Sequence, residues 1–119
     1  MNAKALALQE RTLKFGVRMI ELSRKYPRTP AGDTVSRQLV KAGTSVGANY
    51  RAVCRSRSSA EFSARMGVVL EEADEGAYWL ALTERTNLVT DPAVTELQAE
   101  ARELAAIFAS SILTIKRRP

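Results

Sequence analysis

The chain is poor in the residues that usually carry chemistry. It has no histidine and one cysteine, Cys54. Without histidine the commonest general base and the commonest metal ligand are both missing. The Glu-x-x-His pairs of a di-iron bundle are excluded with them. A single cysteine builds neither a thiolate zinc cage nor an internal disulfide, which suits a reducing cytosol. No Gly-x-Gly-x-x-Gly or Walker-type loop occurs, so no cofactor and no bound metal are expected, and the chain reads as a non-enzyme. The densest carboxylates are Glu71, Glu72, Asp74 and Glu75. Such a group could hold a hard cation or activate water. Their directions scatter around a helix, however, and no second acidic motif completes a site. Surface acid facing arginines of a neighbouring chain is the simpler reading. Ser45 and Asn49, four apart, have no base nearby in sequence and are expected to hydrogen-bond between helices. Cys54, beside Val53, reads as a small buried hydrophobe.

Cations offer more. The net charge is +5 over 119 residues, and it is unevenly spread. Residues 1–60 carry a local balance of +9 and residues 61–105 one of −7. A basic half beside an acidic half serves self-complementary assembly or nucleic-acid binding. Arg11, Lys14, Arg18 and Lys25 share one flank of the first helical segment. Arg37, Lys41, Arg51 and Arg55 project from the second, followed by Arg57. Together they could neutralise phosphates; the alternative is a solvated face or one that pairs with acid. Phe15, Phe62 and Phe108 fall on apolar faces, so base stacking is not expected and any binding should follow charge and shape.

Four amphipathic helices must position these groups. The first is expected over about 3–26, ended by Pro27 and Pro30. It carries Leu6, Leu13, Val17 and Ile20 on one side, with Leu8, Phe15, Met19, Leu22 and Tyr26 roughly opposite. One face can meet the core of a bundle; the other needs a partner, and a second subunit is the simplest. Phe15, Met19, Leu22 and Tyr26, with Tyr78 and Trp79, are the candidate subunit interface. The second helix is expected over 33–55, capped by Asp33 or Thr34. Its core stripe is Val35, Leu39, Ala42, Val46, Tyr50 and Val53, and Gly43 and Gly47 allow close helix approach. The third, over 58–88, opens on a Ser58–Glu61 capping box. Phe62, Met66, Val69, Ala73, Ala77 and Leu80 form its stripe, widened by Trp79 and Leu82. The fourth, over 92–116, has Asp91 as N-cap and Pro92 at its first position. Val94, Leu97, Ala101, Leu104, Phe108, Ile112 and Ile115 supply its stripe, and Lys116, Arg117 and Arg118 complement the negative helix end. No apolar run is long enough to span a membrane, and the N-terminus lacks the pattern of a secretory signal. The expectation is one all-α domain over residues 1–119, located in the cytoplasm.

A resemblance then emerges from an ordered series. It comprises Ser45-Val46-Gly47-Ala48-Asn49-Tyr50-Arg51-Ala52, Arg55-Ser56-Arg57-Ser58-Ser59-Ala60-Glu61-Phe62, Glu71-Glu72-Ala73-Asp74-Glu75 and Tyr78-Trp79-Leu80. The chain resembles the four-helix-bundle family encoded in intervening sequences of bacterial 23S ribosomal RNA genes. The likeness runs from about Phe15 to Leu113 and is strongest from Gln38 to Leu82. It implies an antiparallel up-down-up-down left-handed bundle, assembled in known members as a ring-like homopentamer. It also implies kinship with the accessory variability proteins of diversity-generating retroelements, which bind nucleic acid and a reverse transcriptase. One departure is clear: many members read Asn-Ile-Ala-Glu-Gly where this chain has Asn49-Tyr50-Arg51-Ala52-Val53, so any role tied to that glutamate does not transfer. The partners expected are copies of itself, RNA or DNA, or an acidic protein, and no membrane.

Overall fold

A computed structural model describes residues 1–117, which form α1 (Ala3–Ser23), α2 (Pro30–Val53), α3 (Ser59–Thr86) and α4 (Pro92–Lys116). Among the described residues there is no strand. The bundle measures 51 × 21 × 21 Å. Partner numbers rise along α1 as they fall along α2, from Thr12 beside Gly47 to Met19 beside Gly43. The same inversion relates α1 to α4, where Arg11 meets Glu100 and Arg18 meets Glu96.

Capping chemistry sets most helix ends. Asn2 accepts from the Ala5 N–H at 2.8 Å to start α1. Asp91 accepts from the Ala93 N–H at 2.8 Å, with Pro92 in the first turn of α4. Ser58 accepts from the Glu61 N–H at 3.0 Å, while the Glu61 carboxylate pairs with Arg65 at 3.0 Å. Asn87 ends α3 in the left-handed region at φ 55°, which asparagine tolerates better than most residues. Arg117 is the C-cap of α4; Arg118 lies outside the described residues.

The other helix ends fall within two residues of the sequence expectation, but two boundaries differ by three. α1 stops at Ser23, and Lys25 and Tyr26 close a tighter turn onto the carbonyls of Leu22 and Ser23. α2 starts at Pro30, capped by Thr29, whose hydroxyl accepts from the Gly32 N–H at 3.0 Å. Pro30 does not end the preceding helix. It opens the next one, where its missing N–H needs no partner. Asp33 is therefore not a cap; it sits in the first turn, where a carboxylate favours the positive helix end. Gly32 is required in this turn, since a Cβ there would fall 1.9 Å from the Pro27 carbonyl oxygen.

The core is continuous along the bundle, with Phe15, Met19, Leu39, Val46, Met66, Leu80, Leu97, Leu104 and Phe108 all fully buried. Tyr50 stacks on Phe108 with ring centroids 6.0 Å apart. The buried Thr83 hydroxyl donates to the Trp79 carbonyl, so it accepts from the Tyr26 hydroxyl and joins the connection after α1 to α3. Every residue of the expected α2 stripe is buried. On α1 the buried face is Leu8, Phe15, Met19 and Leu22, and Tyr26 follows just beyond the helix. That corrects the assignment of Phe15, Met19, Leu22 and Tyr26 to a subunit interface: Phe15 is 1% exposed, and these side chains are the core itself. The reason lies on α2. A Cβ on Gly43 would fall 2.6 Å from Met19 Cγ, so the missing side chain is the slot that receives Met19 and turns its face inward. Left outside are Leu6, Leu13 and Val17, 55%, 49% and 50% exposed.

Candidate nucleic-acid interface

The cations along α1 and α2 stand in different surroundings. On α1 most of them are engaged. Arg11 donates through Nε and Nη2 to both Glu100 oxygens, at 2.8 and 2.7 Å, and also meets Glu103 at 3.1 Å. Glu100, then Glu103, hold this guanidinium even further from deprotonation than usual. Arg18 pairs with Glu96 at 2.7 Å, and Lys25 with Asp91. Lys25 and the Ala93 N–H hold the Asp91 carboxyl below the ordinary carboxylate range. Lys14 is exposed, and among the described residues it has no carboxylate within 4.0 Å. The α1 flank is thus largely a clasp between α1 and α4, a pairing foreshadowed by the acidic residues spaced along α4.

On α2, Arg37, Lys41 and Arg51 are all exposed, as are Arg55 and Arg57 in the connection to α3, since α2 ends two residues short of the expected Arg55. Among the described residues none of the five has a carboxylate within 4.0 Å. Helix periodicity explains why. With Val35, Leu39, Ala42 and Val46 turned to the core, Arg37, Lys41 and Arg51 point away from the bundle. Arg37 to Arg51 spans roughly 21 Å of helix. Exposed Thr44 and Ala48 lie between them, small enough to leave the surface smooth. This face can neutralise a polyanion by charge; it offers no aromatic ring for base stacking.

The acidic residues of α3 build no comparable site. Glu71, Asp74 and Glu75 are exposed and Glu72 is half-buried. Among the described residues no group of three or more histidine, cysteine or carboxylate side chains could hold a metal ion. Burial, then repulsion from Glu75, pushes the Glu72 carboxyl above its ordinary range, and Lys41 opposes that shift. One Glu72 oxygen, Oε2, is buried without a hydrogen-bond partner.

The remaining sequence candidates are structural. Ser45 donates to the Lys41 carbonyl at 2.6 Å, and Asn49 to the Ser45 carbonyl at 2.9 Å. Both bonds stay within α2, which corrects the expectation of contacts between helices: the side chains lie half-buried and fold back on their own backbone. Cys54 is free and half-buried, and its contact with the Tyr50 hydroxyl adds to burial in pushing that hydroxyl's pKa up. Tyr78 is 58% exposed and meets the half-buried Trp79 edge-on, at 5.0 Å between ring centroids. Sequence reasoning passed over Arg65, which donates to the Ala52 carbonyl at 2.7 Å and ties α3 to the end of α2. Its spacing from Glu61, four residues on one helix, was the available signal.

Among the described residues no helix is long and apolar enough to cross a membrane. No curated protein matches the chain. A solved structure from Bacteroides thetaiotaomicron, a protein with unknown function from the S23 ribosomal protein family, is similar to it. The two share 30% identity over 87% of this chain and 96% of the other, with a TM-score of 0.79. Residues 4–110 match the 23S rRNA-intervening sequence protein family. With nearly all four helices inside that match, the chain belongs to the family of 23S rRNA-intervening sequence proteins.

Proposed function

We propose that this protein is a non-enzymatic, homo-oligomeric scaffold of the cytoplasm whose α2 face binds RNA or DNA weakly and with little sequence preference. The carrying observation is the set of unpaired cations on α2 and its connection to α3, beside an α1 flank whose cations are mostly engaged. An up-down-up-down arrangement, left-handed as in the family it resembles, agrees with the inverted partner numbering of α1 with α2 and α4. A ring of five copies, the assembly implied by the same resemblance, would multiply the positive field. The exposed apolar stripe of α1 supports association, because a lone bundle leaves Leu6, Leu13 and Val17 in water. A salt titration against a labelled RNA tests the reading. Affinity should fall steeply between low and moderate salt, because each neutralised phosphate releases counterions. A flat response, or no binding at low salt, rejects it.

A second reading rests on the smoothness of the same face. Thr44 and Ala48 between the cations leave room for a helix of an acidic protein, such as a reverse transcriptase of the kind bound by retroelement accessory proteins. Capture of such a partner that survives nuclease treatment would favour it.

A further inference from the structure

Positive charge is concentrated at one end of the bundle. Asn2, Ser56 and Ile115 line one cavity there, so the start of α1, the α2–α3 connection and the end of α4 meet at this end. Lys4, Arg51, Arg55, Arg57, Lys116 and Arg117 all stand exposed around it. Residues 1–9, 51–60 and 104–117 contain no aspartate or glutamate, and Glu61 already pairs with Arg65. The other end is mixed: Lys25 pairs with Asp91, and Arg28 and Arg85 share that end with Asp33 and Glu84. Along α2 toward the mixed end, Asp33 precedes Arg37 by one turn, and Glu72 lies near enough to Lys41 to be stabilised by it.

The cavity at the positive end has a volume of about 350 Å³, and no aspartate or glutamate lines it. Tyr50, Cys54, Ser56 and Ser58 contribute to its wall. Ser56 Oγ is buried without a hydrogen-bond partner, a costly state for a polar atom. Tyr50 is 6% exposed, and burial keeps its hydroxyl protonated and able to donate. Ser58 Oγ accepts from the Glu61 N–H and retains its own proton to give. The last carbonyls of α2 do not compete. The Cys54, Arg55 and Ser56 N–H groups occupy those of Tyr50, Ala52 and Val53, and the Arg65 guanidinium also donates to Ala52.

We infer that this cavity seats a terminal phosphate, the phosphomonoester that ends a nucleic-acid strand or a nucleotide. The inference rests on the polyanion binding proposed above and adds to it a seat for the end of the strand. A phosphomonoester carries about two negative charges at neutral pH and three strong acceptor oxygens. It gains most where hydroxyl donors sit beside guanidinium groups that no carboxylate holds, as Arg55 and Arg57 are here. A backbone phosphodiester carries one charge and continues on both sides, which suits the open face of α2. A cavity at the tip of a bundle 51 Å long suits a chain end.

Two short labelled RNAs of one sequence test the seat, one phosphorylated at both ends and its twin ending in hydroxyls. At low salt the phosphorylated strand should bind about tenfold tighter, the gain expected of hydrogen bonds to a charged group. Ser56→Ala with Arg57→Gln should bring the two strands level. The Ser56 hydroxyl has no partner to lose and Arg57 is exposed, so the melting temperature should stay near that of the parent. Should that variant unfold, Arg55→Gln carries the same comparison and should narrow the gap. Adenosine monophosphate as competitor separates the sources: it closes the gap if free nucleotide also enters, and leaves it if only a strand end is held. Equal affinity of the parent for both strands overturns the inference, as does a preference that outlasts the double variant. If neither strand binds at low salt, the polyanion reading has failed, and adenosine monophosphate alone decides the cavity. A raised melting temperature then upholds the seat and an unchanged one rejects it.

Discussion

α1 and α2 pack side by side and are both rich in arginine and lysine, yet they meet their surroundings in opposite ways. α1 shows apolar surface to water and keeps most of the charge on its flank occupied: Leu6, Leu13 and Val17 are exposed, while Arg11 and Arg18 pair with α4 and Lys25, just beyond α1, pairs with the N-cap Asp91. α2 buries its whole apolar stripe and leaves Arg37, Lys41 and Arg51, with Arg55 just beyond its end, without a carboxylate within 4.0 Å. A cation's residue type therefore says little about its role until its neighbours are known. On α1 the cations help seat a helix; on α2 they remain available to a ligand.

The sharpest way to break this contrast is at the two faces of α1. Phe15→Ala should cost about 3 to 5 kcal/mol of folding stability, and Leu13→Ala should stay within about 0.5 kcal/mol, both read from urea denaturation. Similar losses at the two positions would mean that the faces are not buried as described. Next in size is the charge of α2. Replacing Arg37, Arg51 and Arg55 together by Gln should weaken RNA binding by about tenfold or more at low salt and lower the salt slope by about 2. The same change at Arg11, Arg18 and Lys25 should move the salt slope much less, because carboxylates already accompany those cations.

Smaller effects sharpen the comparison further. Arg11→Gln leaves Glu100 and Glu103 without their partner and should lower stability by about 1 kcal/mol or less, since the pair is partly solvated. Arg37→Gln should leave the melting temperature unchanged. The last prediction concerns pH. The Glu72 carboxyl is raised in the folded chain, so its ionisation opposes folding. Its own contribution to stability should be fullest below the ordinary glutamate range, about pH 4, and should fall as pH rises through the folded value. Glu72→Gln should remove that dependence and raise stability at pH 7 by no more than about 0.5 kcal/mol, an effect that should vanish by pH 4. A variant less stable than the parent at pH 7 would show that Glu72 stabilises the bundle through Lys41.

What the chain's order of residues determined by itself is local. Apolar spacing identified the four helices, the whole core stripe of α2 and most of those of α3 and α4, where Phe62, Ala77, Ile112 and Ile115 are only half-buried, and the caps at Ser58 and Asp91 were legible because capping needs only neighbours in sequence. The basic and acidic halves were equally plain. Pro30 was misread because a proline ends one helix and begins another with the same ring; only the bond from Gly32 to Thr29 separates the two cases. Which face of α1 is core, and which cations are free, only the tertiary structure decided. A helical wheel gives directions about one axis and is silent on what stands in each direction. The missing side chain at Gly43 sets the rotation of α1 by receiving Met19, and the carboxylates of α4 that engage Arg11 and Arg18 lie some eighty residues away along the chain.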